Sequence, residues 1–243
     1  MNQNRFFLLL FCALGMASLL SAQTITFAQF TQVNPDKSLV FDNGQFNSAS
    51  FNTTDTTTGV DVQFRYNDQL SFTGALSALD GMQDARMTLK STVQTPATSS
   101  DFGTLRIQPV DSGVIEFKRA TAIDGKDLLL AIHFTGAYLV DFGSSGSLFA
   151  AENANSTITY TSDFLNFDPT TPENWSLGLS GVSPVAIQAP NQLLSSFTAS
   201  TAGTFDANAT AIPEPATYGL LMGLAALIAV IRWRSHSARH SVV

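Results

Sequence analysis

Val60-Asp61-Val62-Gln63-Phe64-Arg65-Tyr66 puts an apolar side chain at every second position. Successive side chains of a strand point to opposite faces, so this period predicts a strand with one buried and one wet face. Met87-Thr88-Leu89-Lys90-Ser91-Thr92-Val93, Ile158-Thr159-Tyr160 and Trp175-Ser176-Leu177-Gly178-Leu179 follow nearly the same rule. Leu105–Val110 and Val114–Arg119 flank Asp111-Ser112-Gly113, which reads as a hairpin turn. Asp124-Gly125-Lys126-Asp127 reads as another, leading into Leu128–Phe134 and Ala137–Phe142, the most apolar stretches between the two ends and the expected central strands. No amphipathic helix of about 10 or more residues interrupts the pattern, although Ala75–Asp80 suits one short turn of helix. Many short strands separated by Gly, Asn, Asp and Pro predict an all-β fold, an antiparallel two-sheet sandwich or jelly roll. It is expected to span residues 23–200, with Thr92–Ser100 and Asp168–Asn174 as loops. Thr201–Ala211, small and polar, is expected to be a linker.

Outside this region the sequence changes character. The chain has 243 residues, 44% hydrophobic and only 13% charged, and two apolar runs sit at its ends. Residues 23–211, between them, hold eight of the 12 cations and 18 of the 19 carboxylates, a net charge of −10. Such a domain repels phosphate backbones, which argues against a nucleic-acid partner. The single cysteine, Cys12, lies in the first apolar run, so the domain is expected to fold without disulfides or Cys-ligated metal. It has one histidine, His133, so a multi-histidine metal site is excluded there and any Ser-His-Asp triad would have to use it.

Met1–Arg5 carries one positive charge, Phe6–Leu20 is apolar, and Ser21-Ala22 precedes Gln23. This is the pattern of a secretory signal peptide over residues 1–22, with cleavage expected between Ala22 and Gln23. At the other end Pro213-Glu214-Pro215 is followed by 16 uncharged residues, Ala216–Ile231, and then Arg232-Trp233-Arg234. The prolines break any helix before the run. Counted through Trp233, the segment suits a short transmembrane helix of about 27 Å. The stop arginines Arg232 and Arg234 favour a cytoplasmic C-terminus, with residues 235–243 as a basic cytoplasmic tail.

Pro-Glu-Pro, a short apolar helix and an arginine cluster, in that order at a C-terminus, resemble the PEP-CTERM sorting signal of Gram-negative bacteria, here over residues 212–234. The resemblance implies an exosortase-type transpeptidase as partner, transient residence in the inner membrane, and transfer to the cell surface or extracellular matrix. The family accompanies exopolysaccharide and biofilm systems.

No residue pattern in the domain specifies catalysis. Glu116, Glu152 and Glu173 are the candidates for a glycosidase carboxylate pair, but sequence spacing does not place two of them across a cleft. His133, between Ile132 and Phe134, suits a structural role. Ser144-Ser145-Gly146 and Ser180-Gly181 lack the nucleophile-elbow pattern. No cofactor is expected. Calcium is the one ion that the acidic turns Asp42-Asn43-Gly44, Asp80-Gly81 and Asp124–Asp127 suit, and these are also ordinary turn residues. Thr157, Thr159 and Thr161 alternate on one strand, a single row rather than the array that ice adsorption needs, and Thr53–Thr58 reads as a loop. The expected function is therefore non-enzymatic, a structural or binding component of an extracellular polysaccharide matrix. The alternatives are an exported carbohydrate-active enzyme on a jelly roll and an ice- or surface-adsorbing protein.

Overall fold

The computed structural model describes residues 24–34, 38–44, 49–93, 100–102, 105–141, 143–187 and 193–212. The signal peptide with Ala22 and Gln23, the sorting motif Pro213-Glu214-Pro215, the apolar helix, Arg232 and Arg234, and the tail 235–243 lie outside the described residues. Among the described residues no helix is long and apolar enough to cross a membrane.

The protein is an all-β, antiparallel structure. Its strands are β1 (Ile25–Gln32), β2 (Leu39–Asp42), β3 (Ser50–Thr53), β4 (Val60–Tyr66), β5 (Met82–Thr92), β6 (Ser100–Phe102), β7 (Leu105–Ile123), β8 (Lys126–Asp141), β9 (Ser145–Ala151), β10 (Ile158–Thr161), β11 (Leu165–Phe167), β12 (Asn174–Ser183), β13 (Phe197–Ala207) and β14 (Ala209–Ala211). The helix turn expected at Ala75–Asp80 is a 3-10 helix, Gly74–Leu79.

The two separate sheets of a sandwich or jelly roll do not form. Hydrogen bonds instead run continuously through β1, β4, β5, β7, β8, β9, β12 and β13, and β13 pairs back to β1. The order around this ring is the order along the chain, so the path is an up-and-down barrel rather than a Greek key. At one end β2 and β3 bridge β13 to β5 in place of β1 and β4. The closing β1–β13 ladder joins Ile25 to Ala207, the two ends of the domain. Local alternation carries no trace of so distant a pairing.

A ring of this size has room inside for side chains and little else. Phenylalanines fill it. Phe30 of β1, Phe64 of β4, Phe117 of β7 and Phe205 of β13 meet across the interior, with ring centroids 4.9 Å (Phe30–Phe117), 5.2 Å (Phe64–Phe117) and 5.3 Å (Phe117–Phe205) apart. Each such buried ring contributes about 1.5–3 kcal/mol through removal from water. Outward residues of the ring's strands, Gln29, Gln63, Arg86 and Ser176 among them, are polar. The barrel is thus apolar within and polar without.

Three local expectations are corrected. Asp111-Ser112-Gly113 is no turn: β7 runs unbroken through it. Gly113 is a glycine because the Phe134 ring lies against it across the ladder, and a Cβ there would come within 2.5 Å of Phe134 Cζ. The buried set changes phase at this point. Gly113, Ile115 and Phe117 share one face, and before Asp111 the other face, Gln108 and Val110, is buried. Leu128–Phe134 and Ala137–Asp141 are likewise parts of one strand, β8, which turns at Gly136 (φ +70°). Such a backbone angle is easy only for glycine. The third correction concerns Thr201–Ala211. It is no linker but the second half of β13 plus β14, with Thr201, Phe205, Ala207 and Ala209 buried. Its alternation is written mostly in alanine, a weak hydrophobic signal. Gly203 faces Leu177 and Phe30 so closely that a Cβ would lie 2.7 Å from each. The Asp124-Gly125 turn is as expected, with φ +50° and +77°, the angles of a two-residue hairpin that suits the strand twist.

Candidate glycan-binding groove

The outer face of β5 and β7 carries three of the domain's eight cations. Along β5 the inward set is Gln83, Ala85, Met87, Leu89 and Ser91, which leaves Arg86, Thr88, Lys90 and Thr92 outward. Pairing with β7 sets Arg86 opposite Lys118, Thr88 opposite Glu116, Lys90 opposite Val114 and Thr92 opposite Ser112. Two like charges directly across a ladder oppose folding, so the Arg86–Lys118 placement is a cost that the fold tolerates.

The Thr54–Gly59 loop forms one wall. Asp55 orders it: its carboxylate accepts the Thr57 and Thr58 N–H groups, each at 2.8 Å, and the Thr58 hydroxyl. These bonds, the Thr58 hydroxyl first, hold its pKa down at about 2. Gly59 (φ +78°) then presses the loop on β5, where a Cβ would meet the Met87 carbonyl at 2.7 Å. Between wall and sheet lies an open cavity of about 510 Å³ lined by Thr56–Thr58, Arg86, Lys90, Glu116 and Lys118. A second depression of about 460 Å³ shares Thr56 and Lys90 with it and adds Asn52, Thr92 and Ser112. Together they make one polar track.

Hydroxyl groups continue the track across the sheet. Thr92 Oγ1 and Ser112 Oγ are 3.3 Å apart, Thr135 pairs with Ser112, and Thr135 Oγ1 lies 2.8 Å from Thr157 Oγ1. The cations are weakly engaged. Arg86 Nη2 lies 3.3 Å from Asp61 Oδ1, and Lys118 Nζ lies 3.5 Å from Glu116 Oε2, both pairs well exposed. Exposed pairs of this kind are worth about 0–1 kcal/mol. Lys90 has no ion-pair partner among the described residues. Arg119, beside the same cavity, has a buried Nη1 without a hydrogen-bond partner among them.

The residues singled out in the sequence are dispersed. His133 is exposed on β8, opposite Val114 and Thr159, at the far rim of the track. Thr157, Thr159 and Thr161 are exposed on β10 and its approach, and Thr53–Thr58 begins at the end of β3 and becomes the wall loop. Glu116 is in the groove, whereas Glu152 and Glu173 meet elsewhere. Glu152 N–H donates to the Glu173 carbonyl at 3.1 Å, and Glu173 N–H donates to Glu152 Oε2 at 3.2 Å. Glu173 is only 7% exposed, and its carboxylate accepts the Tyr160 N–H at 3.0 Å. Burial pushes its pKa up to about 7 despite that bond, and Glu152 adds to the rise.

The acidic turns proposed for calcium are turns. Asp42 Oδ1 accepts the Gly44 N–H at 3.0 Å, and Gly81 and Gly125 carry positive φ. Among the described residues no three metal-ligating side chains come together. Ser144, Ser145 and Ser180 lie where β9 and β12 pair, with no histidine on either strand. The groove was the feature that sequence reading missed. Arg86, Lys90 and Lys118 each sat on a recognised alternation, but their convergence depends on the β5–β7 register. No protein-family model, no curated protein and no solved structure matches this chain, so the groove is read from its own geometry.

Proposed function

We propose that this chain is an exported, non-enzymatic β protein that is sorted to the cell surface and binds polysaccharide of the extracellular matrix in the β5–β7 groove. The continuous, open, hydroxyl- and charge-lined track carries the reading. An extended polymer of hydroxyl-bearing rings needs a long open surface with many donors and acceptors, and a small substrate needs an enclosed pocket. The enzyme alternative finds less support. Glycoside hydrolysis uses two carboxyl groups about 5–9.5 Å apart, and Glu116 is the one carboxylate among the described residues lining the larger cavity. Glu173 is closed to a substrate by burial. The ice-adsorbing alternative has the hydroxyl row in its favour, but Lys90, Glu116 and Arg86 stand in the adjacent rows and break any flat array. The C-terminal resemblance supplies the route to the surface.

The test is recovery of the protein from biofilm-forming cells that carry the sorting enzyme. Mass spectrometry should give an N-terminus at Gln23 and loss of the apolar helix. The protein should fractionate with matrix polysaccharide and be released when that polysaccharide is depolymerised. A chain that begins at Met1 and stays whole in the inner membrane would overturn the reading.

A further inference from the structure

We infer that the polymer held in this groove is a polyanion bearing carboxylate groups, of the polyuronate class; this rests on the groove being a glycan site. Three of the eight cations between the chain's apolar ends, Arg86, Lys90 and Lys118, stand on the outer face at one cavity of a domain whose net charge is −10, and Arg119, opposite the inward Ala85, borders the same cavity. The concentration does not follow from composition. Little of it is used up internally: Arg86 holds the exposed Asp61 and one long bond, 3.5 Å, to the Gly59 carbonyl, Lys118 holds the exposed Glu116, and Lys90 has no ion-pair partner among the described residues.

The spacing favours a polymer over a single anion. Arg86 and Lys118 form one positive station, as opposite members of a ladder pair. Lys90 forms a second on the same face of β5, four residues further on, roughly 13 Å away at the rise of a strand. A small carboxylate reaches one station. A chain with recurring carboxylates reaches both, while its ring hydroxyls meet Thr56, Thr88, Thr92 and Ser112. The acidic remainder of the domain opposes long-range attraction of polyanions, so binding depends on local contact in this groove and not on bulk charge.

Two carboxylates of the protein now compete for these cations, Asp61 for Arg86 and Glu116 for Lys118. Removing either should strengthen binding, a direction that loss of folding does not mimic. Glu116→Gln also lifts a negative charge from the cavity floor.

The full-length chain, purified in mild detergent, is titrated with linear polygalacturonate and with neutral dextran, at about 50 and about 500 mM salt, a range over which screening shortens from roughly 14 to 4 Å. The expected result is polygalacturonate binding that weakens with salt. Lys90→Gln/Lys118→Gln should weaken it roughly tenfold, as two exposed charge contacts imply. Glu116→Gln and Asp61→Asn should tighten it several-fold. Dextran binding with no preference for polygalacturonate keeps the glycan reading and overturns the anionic one. Binding of neither polymer overturns both. Polygalacturonate binding that the double variant leaves unchanged, or tighter binding of single-stranded DNA of equal charge, overturns the assignment of site or class.

Discussion

Raising the pH from 5 to 8 should destabilise this protein, and Glu173 is the reason. Its carboxyl group is buried beneath Tyr160 and next to Glu152, and its pKa is pushed from 4.5 up to about 7. Below about pH 4.5 both the folded and unfolded states carry the proton. Between 4.5 and about 7 the unfolded chain releases it while the folded protein keeps it, so folding becomes less favourable as pH rises. Above about 7 the loss is complete. The full shift corresponds to about 3 kcal/mol at ~1.36 kcal/mol per pH unit. Relaxation and water entry on the exposed Glu152 side reduce this to about 1–3 kcal/mol. For a domain of this size, ~2 kcal/mol lowers Tm by about 4–8 °C. Asp141, raised by burial, adds in the same direction from its own lower starting point. Asp55 and Asp168, both lowered by hydrogen bonds, act oppositely but only as pH falls through the usual aspartate range. Thermal unfolding of the full-length chain across pH 5–8 reads the effect. Glu173→Gln keeps an acceptor for the Tyr160 N–H and should remove most of the slope, leaving the variant the more stable protein at pH 8. A flat or rising Tm in the wild type, or an unchanged slope in the variant, refutes the assignment to Glu173.

Phe117→Ala opens the middle of the barrel, where Phe30, Phe64 and Phe205 converge, and should cost about 3–5 kcal/mol in denaturant titration. Gly203→Val places carbons against Leu177, Phe30 and the Ser176 carbonyl; it should cost about 1–3 kcal/mol, whereas an exposed linker at this position would tolerate it. Gly113→Ala should cost a similar amount through its clash with the Phe134 ring and the Lys90 carbonyl, and a neutral result by chemical denaturation would restore the turn reading. Pro213→Ala/Pro215→Ala should leave the chain at full length in the inner membrane, as fractionation and intact mass will show, and a wild type equally retained in cells that have the sorting enzyme removes the processing proposal.

Much of the strand content was legible because it is a local property. The period of Val60–Tyr66 places Val62, Phe64 and Tyr66 in the core and Asp61 and Gln63 outside whatever the strand's neighbours are, since alternation follows from backbone geometry alone. The Asp124-Gly125 turn was legible for the same reason, as its two residue types are those that accept positive φ. Three things were decided only in the folded chain. Gly113 and Gly203 read as turn and linker because glycine looks alike in sequence whether it bends the chain or clears space for Phe134, Leu177 and Phe30. The ring's closure between Ile25–Thr31 and Ala202–Ala207 depends on strands at opposite ends of the domain, which no local window contains. The groove likewise exists only because the β5–β7 register sets Arg86 beside Lys118 and Thr92 beside Ser112; a slip of β7 by one residue would send Lys118 and Ser112 into the core.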